Sequence, residues 1–308
     1  MSRQAVARPR PAYMRREALE GYLFILPWLL GLLIFVVGPI CASFYLSFTS
    51  YEIVRPPTWV GLRNYEQLLG DRLFWQALKV STIYVMTSVP LGLVLSFSVA
   101  LLMNQQVRFI GLWRTLYYIP SLVPVIASTM LWLWIFNPEF GLLNMGLRML
   151  GIDGPLWLGH SRWALPSLII MSLWTVGAPM LIYLAGLQGI PTDLYEAAEI
   201  DGAGVWPKFA NITIPMMTPV IFFNLVINII ATFQVFAQPF IMTQGGPRYA
   251  TLFYVLYLYQ NAFQFFRMGY ASALAWVLFA VILVLTALVF RSSAAWVYYE
   301  GELRRREA

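Results

Sequence analysis

The residues best placed to do chemistry form one short charged stretch between long uncharged ones. From residue 194 to residue 247 the chain has four charged side chains, and they are Glu196, Glu199, Asp201 and Lys208. Ala197 and Ala198 lie between the acids and have almost no side chain, so the backbone of another protein can approach closely there. The pattern predicts recognition of a partner protein with a basic surface. A solvated connecting loop explains the composition equally well, and the residue types alone leave both interpretations open.

The same stretch contains signals for two short helices joined by a turn. Asp193 is placed to cap the N-terminus of the first helix, and Glu196 follows at the spacing of a capping box. Gly202 is placed to end that helix in a left-handed conformation, which glycine adopts without strain. A second helix is predicted to begin near 203–205 and to run toward Pro215, where the chain enters the membrane.

A second set of polar side chains falls within the predicted fifth membrane span. At 100° per residue, four amides lie within one arc of a continuous helix. They are Asn224, Asn228, Gln234 and Gln238. Amides can hydrogen-bond a neutral hydroxylated solute, which predicts a lining of a transport pathway. They can equally hydrogen-bond between packed helices. Gln234 and Gln238 are nearest the outer mouth and are the predicted substrate contacts.

Catalysis and metal binding are poorly supported by the sequence. The acids of the outer loops are scattered, there is one cysteine and one histidine, and no GxxxxGK[ST] phosphate-binding sequence occurs. We therefore predict a non-enzyme with no catalytic residue, no metal site and no cofactor bound by this chain. A lipid-linked glycosyltransferase and a stand-alone channel are the rival classes, and neither explains the charged stretch.

The elements that position these residues are membrane helices. The chain is 60% hydrophobic and 11% charged, with a mean hydropathy of +0.69, which excludes an ordinary soluble domain. Uncharged runs longer than the roughly 20 residues that cross a bilayer predict six spans. Their approximate bounds are 22–47, 78–103, 116–136, 165–187, 218–241 and 271–290. The run 249–266 is shorter and contains amides, so we predict a partly buried external segment there.

Charge near the span ends predicts the orientation. Twelve Lys and Arg residues fall on the side of both tails and eight on the other side, so both termini are predicted in the cytoplasm. Apart from Lys79 at the very start of the second span, the six spans contain no Asp, Glu, Lys, Arg or His, which argues against a proton- or sodium-coupled carrier. The predicted divisions are a cytoplasmic tail at 1–20, a transmembrane domain at 21–295 with a cytoplasmic loop at 190–215, and a cytoplasmic tail at 296–308.

Several motifs resemble those of a known family. The spacing from Glu196-Ala197-Ala198 through Gly202 to Ile212, Ile214 and Pro215 resembles the signature loop of ABC-importer permeases, with Ile214 where leucine is commoner. Other matching stretches point to the sugar-importer branch, and the resemblance covers nearly all of residues 20–291. They include Gly61–Tyr65, Arg114 before Tyr118-Ile119-Pro120, Thr243–Pro247 and Met268–Ala273. The chain looks like the first permease of a maltose-type or glycerol-phosphate-type system.

That resemblance implies an all-α membrane protein with the six-helix architecture of a type I (MetI-like) ABC importer permease. It implies a bacterial or archaeal cell membrane, a second similar permease, two ATPase subunits that bind ATP and Mg, and an extracytoplasmic solute-binding protein. The expected cargo is a sugar or oligosaccharide, and the alternative is glycerol-3-phosphate or another non-sugar solute. The net charge of +6 predicts contact of the cytoplasmic side with anionic membrane lipid, so no nucleic-acid partner is expected.

The resemblance also gives the charged loop a role. Coupling to the ATPases is expected to rest on Glu196, Ala197, Ala198, Asp201 and Gly202. Ala198→Trp is expected to prevent seating in the ATPase, and Gly202→Val to fail because a β-branched residue resists positive φ.

Overall fold

The protein is a bundle of helices. A computed structural model describes residues 12–105 and 107–298. Its helices and strands in the first half of the chain are α1 (Ala12–Leu32), α2 (Gly38–Ser47), β1 (Thr49–Ser50), β2 (Thr58–Trp59), α3 (Arg63–Gly70), α4 (Arg72–Met103), α5 (Ile110–Leu122), α6 (Val125–Ile135) and α7 (Leu142–Met149). The strands β1 and β2 pair antiparallel.

In the second half of the chain, the elements that the structure describes are all helices. Its elements are α8 (Ser161–Ser172), α9 (Gly177–Gln188), α10 (Thr192–Ile200), α11 (Val205–Lys208), α12 (Ile214–Phe233), α13 (Ala237–Met242), α14 (Tyr254–Tyr259) and α15 (Met268–Trp296). Three π-helical turns interrupt the chain, at Leu33–Val37, Phe209–Thr213 and Gln260–Gln264. Helix α1 begins at Ala12, inside the predicted tail at 1–20; the rest of that tail, and the end of the predicted C-terminal tail from residue 299, fall outside the described residues.

Within residues 12–105 and 107–298, four helical stretches are long and apolar enough to cross a membrane. They are Leu19–Ser47, Arg72–Met103, Val205–Met242 and Met268–Trp296. Two bent helix pairs bring the total to six if each pair is one span, which agrees with the six predicted spans. These pairs are α5 with α6 and α8 with α9.

The two bent pairs owe their shape to proline. Helices α5 and α6 meet at 98°, a far sharper break than a straight third span would have. Val123 is extended there, with ψ 126°, because Pro124 disfavours helical geometry in the residue before it. Helices α8 and α9 meet at 47°. Pro179 lies four residues beyond Thr175, where its ring conflicts with a helical carbonyl.

Helix α4 is the centre of the bundle, and two apolar clusters form on it. The first cluster joins α4 to α8, α14 and α15, and the second joins α4 to α9 and α12. The segment predicted as external and only partly buried contributes some of the most buried side chains of the first cluster. Leu252, Phe253, Tyr254 and Leu256 are each 1% exposed or less. The first half of this segment is therefore core, whereas Phe263, Phe265 and Phe266 in its second half are more than half exposed.

The first span packs mainly through its second half. Helix α2 lies along α15, whereas the most apolar window of the first span has no buried side chain. Gly269, at the start of α15, lies against the backbone at Thr49, and its N–H donates to the Tyr51 carbonyl at 3.3 Å. A Cβ at residue 269 would overlap the Thr49 carbonyl oxygen. Glycine is therefore required for this close approach of two backbones.

Candidate functional site

The loop at 190–215, called the coupling loop below, contains the helix predicted by its charge pattern. Helix α10 begins at Thr192 after Pro191, and no side chain caps its N-terminus. The predicted capping box of Asp193 and Glu196 is therefore wrong. Proline at the boundary starts the helix earlier, so Asp193 lies within the first turn instead of at the cap. Its carboxylate there still faces the positive end of the helix dipole.

The end of α10 confirms the predicted left-handed glycine. Gly202 has φ +78°, and no atom lies within 4 Å of the position that a Cβ would take. The turn is closed by the Gly202 N–H to the Glu199 carbonyl at 3.0 Å and by the Ala203 N–H to the Ala198 carbonyl at 2.8 Å. The backbone conformation, not space, is therefore what requires glycine at this position.

Helix α10 has two different faces. Glu196, Ala197 and Asp201 are exposed, and Ile200 is 87% exposed. Tyr195 and Ala198 are half-buried toward the membrane helices. Three of the predicted contact residues, Glu196, Ala197 and Asp201, thus lie on the exposed face. Ala198 is the exception, because it is half-buried. An acidic, small-residue helix surface with an exposed isoleucine is suited to enter a cleft in another protein.

The two glutamates of the loop differ in their surroundings. Lys208 Nζ lies 2.6 Å from Glu199 Oε1, so the basic partner of Glu199 lies within this chain. The hydrogen bond from Lys208 and its positive charge lower the pKa of the Glu199 carboxyl. Glu196, three residues earlier, is also exposed and remains available to an external partner.

The predicted amides of the fifth span divide into separate environments. Asn224 is 2% exposed and donates to the Val220 carbonyl at 3.0 Å, while Asn228 donates to the Asn224 carbonyl at 2.8 Å. Helix α12 ends at Phe233, so the continuous helix assumed for the four amides does not reach Gln238. Their role as a pathway lining stays a prediction.

The two glutamines contact different cavities. Gln234 lines an apolar groove of about 840 Å³ between α12, α14 and α15. Gln238 lies on α13 and, together with Asn228, lines a cavity of about 200 Å³ between α4, α9 and α12. We call this second space the polar cavity. Gln238 also lines a neighbouring cavity of about 190 Å³, so it separates two small polar spaces.

Sequence reasoning missed the hydroxyl groups of the polar cavity. Five side chains from α4 and from the break between α8 and α9 line it, and they are Tyr84, Ser88, Ser96, Ser172 and Thr175. Ser88 lies four residues after Tyr84 and Ser96 eight residues after Ser88, which places the three within about one third of the helix circumference. That spacing is a signal that the sequence contains. The lining has no Asp, Glu, Lys, Arg or His.

A further polar cluster lies at the N-terminal end of α4, which is predicted to face outward. Asp71 caps α4 by accepting from the Leu73 N–H at 2.8 Å, and its other oxygen accepts from the hydroxyls of Tyr257 and Tyr270. Burial acts to raise the pKa of the Asp71 carboxyl, but the two tyrosine hydroxyls and the backbone N–H groups outweigh it and lower the pKa. We call these three residues the outer anchor, because they tie together α4, α14 and α15.

Comparison with known proteins settles the class of protein. Residues 88–297 match the family described as the inner membrane component of binding-protein-dependent transport systems. The match covers most of the chain, including the whole coupling loop. The chain belongs to this family. It is a multi-pass membrane component of a transport system and not an enzyme, and the predicted family is confirmed.

Individual relatives support the same assignment along the whole length. The permease is 42% identical over 303 residues to the probable ABC transporter permease protein YesP of Bacillus subtilis, covering 97% of this chain and 98% of the relative. It is 36% identical over 273 residues to the trehalose/maltose transport system permease protein MalF of Thermococcus litoralis, covering 88% and 92%. A solved bacterial ABC transporter involved in the import of the acidic polysaccharide alginate matches with a TM-score of 0.80 and 25% identity, covering 92% and 97%.

Proposed function

We propose that this chain is one of two permease subunits of an ATP-driven importer for a sugar or oligosaccharide. The observation that carries the proposal is the coupling loop: an exposed helix with Glu196, Ala197 and Ile200 on its free face, directly joined to a membrane span. Such a surface is suited to dock into a separate ATPase. Movement of that ATPase would be passed to α12 through α11 and the π-helical turn Phe209–Thr213.

The remaining partners follow from the family. A second permease would complete the pathway, and two ATPase subunits would bind ATP and Mg, which this chain has no motif to bind. A binding protein outside the membrane would deliver the solute, as the family description of dependence on a binding protein implies. Both termini of the permease would lie in the cytoplasm, on the side of the coupling loop.

The cargo is inferred from the polar cavity and from the relatives. Hydroxyl and amide groups without formal charge suit a neutral polyhydroxylated solute, which they can bind by hydrogen bonds. The relative named for trehalose and maltose transport points to the same chemical class. Glycerol-3-phosphate is less favoured, because a charged phosphate in this cavity would find no cationic side chain of this chain.

The coupling role can be tested by co-purification. We expect Ala197→Trp to reduce the amount of ATPase retained on the affinity-purified permease by at least about tenfold, because the indole would occupy the contact surface. Loss of a well-packed interface contact has effects of this order. Ala295→Trp is the matched control, an exposed alanine near the end of α15. Equal retention by the two variants would exclude the proposed docking surface.

The position of the transport pathway can be tested by replacing the two glutamines one at a time. Gln238→Ala removes an amide from the polar cavity, whereas Gln234→Ala removes one from the apolar groove. We expect Gln238→Ala to weaken the apparent affinity for uptake by roughly five- to tenfold, the effect of one lost hydrogen bond to a substrate. Gln234→Ala should leave uptake near wild type. A larger effect from Gln234→Ala would move the pathway to the groove.

A further inference from the structure

We propose that the ion pair between Glu199 and Lys208 is a positioning device that fixes the orientation of helix α10 relative to the fifth span. Glu199 would therefore not contact the ATPase, and Lys208 would act through Glu199. The effect of this orientation on transport rests on the proposed function, since it matters only if α10 is the helix that docks into a partner. The orientation itself can be measured without any partner.

The pair joins the two arms of the coupling loop across their turn. Glu199 lies in the last turn of α10, and Lys208 is the last residue of α11. Between them the chain reverses at Gly202. Lys208 is only 19% exposed although it carries a charge, while Glu199 is 64% exposed. The lysine stem is thus packed within the loop and its ammonium is directed at Glu199.

A second contact lies on the same face of α10. The Tyr195 hydroxyl is 2.9 Å from Thr213 Oγ1, and Thr213 is 7% exposed at the end of the π-helical turn. Tyr195 and Glu199 are four residues apart, so both side chains leave one side of the helix. Glu196 and Ile200 have the same spacing on the exposed side. One side of α10 is therefore tied to the membrane domain, and the adjoining side is free.

The physical role of the pair is orientation, not folding. Ion pairs near the surface add little to stability, because water competes for both charges and the side chains lose freedom. Helix α10 has nine residues, too few to hold its own position in water. A directional contact 2.6 Å long at its C-terminal end selects one angle among those that the turn permits. Without it, the free face would be presented in several orientations.

The orientation can be measured by electron–electron distance spectroscopy on the full-length permease in lipid nanodiscs. Nitroxide labels on Leu194→Cys and Phe223→Cys report the distance between α10 and α12, and both positions are exposed. Cys41 is exposed as well and is first replaced by serine. We expect Glu199→Gln to shift or broaden the distance distribution by more than about 2 Å, the scale of a loop rearrangement. The reversed pair, Glu199→Lys with Lys208→Glu, should restore it.

Glu196→Gln is the matched control, since it removes the same charge three residues earlier on the same helix, from a side chain other than the one that pairs with Lys208. It should leave the distance distribution unchanged. A distribution that is identical in wild type, Glu199→Gln and Lys208→Met would overturn the proposal. So would a broadened distribution in Glu199→Gln that the reversed pair fails to restore, because the effect would then not depend on the ion pair.

The consequence for function is read from ATPase retention on the same variants. Glu199→Gln should lower retention by roughly two- to fivefold, the size expected of one partly shielded ion pair, and the reversed pair should recover most of it. Glu196→Gln should lower retention without changing the distance, because it acts at the contact itself. If the wild-type permease retains no ATPase, the proposed function fails, while the distance measurements still decide the positioning role.

Discussion

The two ends of this permease, predicted to face outward and inward, are held together by different kinds of contact. At the outer anchor, Asp71 accepts hydrogen bonds from the hydroxyls of Tyr257 and Tyr270. These tyrosines are 186 and 199 positions away in sequence and belong to two elements of the core. In the coupling loop, Glu199 and Lys208 are nine positions apart and Tyr195 and Thr213 are eighteen. Long-range contacts fix the outer end as one body. Local contacts shape the inner loop while leaving it exposed.

This difference shows how one chain can be rigid at one end and available at the other. Removing an outer contact separates elements that are distant in sequence, so the whole fold is affected. Removing an inner contact changes a segment that the rest of the bundle does not depend on. We therefore expect the outer variants to change stability and the inner variants to change coupling.

The largest effect is expected from Asp71→Ala. It leaves the hydroxyls of Tyr257 and Tyr270 without their acceptor and removes the cap of α4, and we expect a loss of about 2–4 kcal/mol. A thermal melt of the detergent-purified permease should show a lower melting temperature. Asp153→Ala removes an exposed acid from another outer loop and should have no effect. Equal melting temperatures for both variants would contradict a stabilising outer anchor.

Acid should reproduce the effect of that substitution. The folded pKa of Asp71 lies below its ordinary value of 3.8, so its contribution is complete above that value and is lost as the pH falls through the folded pKa. Melting temperatures measured from pH 6 to about pH 2.5 should fall more for wild type than for Asp71→Ala. Parallel curves would show that other groups dominate the acid response.

A smaller effect on the fold, but a large one on coupling, is expected from Gly202→Val. Positive φ costs a β-branched residue about 1–2 kcal/mol, which the exposed turn can relieve by changing shape. ATPase retention should therefore fall while the melting temperature stays near wild type. Gly204 has φ −72° and tolerates any side chain, so Gly204→Val is the conformational control. Gly202→Asn should keep partial coupling, since asparagine accepts the left-handed conformation.

The smallest effect is expected from Tyr195→Phe. It removes the hydroxyl that contacts Thr213 but keeps the ring against the inner apolar cluster. One partly exposed hydrogen bond contributes about 1 kcal/mol or less, and here it acts only on the loop. ATPase retention should fall less than threefold, roughly, with an unchanged melting temperature. A clear drop in melting temperature would show that the coupling loop contributes to the stability of the fold, as the outer anchor does. It would contradict the difference between the two ends.

The features that could be predicted from the sequence are those that depend on residues close together in the chain. Span number follows from apolar length, and the conformation of Gly202 follows from its place after a short helix. Helix α10 begins two residues before the predicted start, because Pro191 outweighs the side-chain cap offered by Asp193. The prolines indicate where the spans can bend. The angle of 98° at Pro124 depends in addition on how α5 and α6 pack against the neighbouring helices.

The contacts that escaped prediction depend on the tertiary fold. Asp71 is one of several outer acids in the sequence, and nothing near it shows that two tyrosines far along the chain will reach it. The pairing of Glu199 with Lys208 spans a turn, so it lacks the spacing of a pair on one helix. The amide arc failed at Gln238, because the chain leaves its helix after Phe233 without a proline or glycine at that point.

The contact between Gly269 and the backbone at Thr49 bears on how the first and last membrane helices are joined. A hydrogen atom on the Gly269 α-carbon, where other residues carry a methyl or more, lets the two chains touch beside the outer anchor. The alignment of the amino-terminal and carboxy-terminal helices thus depends on a missing carbon atom. Gly269→Ala would push them apart at the end of the bundle that contains Asp71.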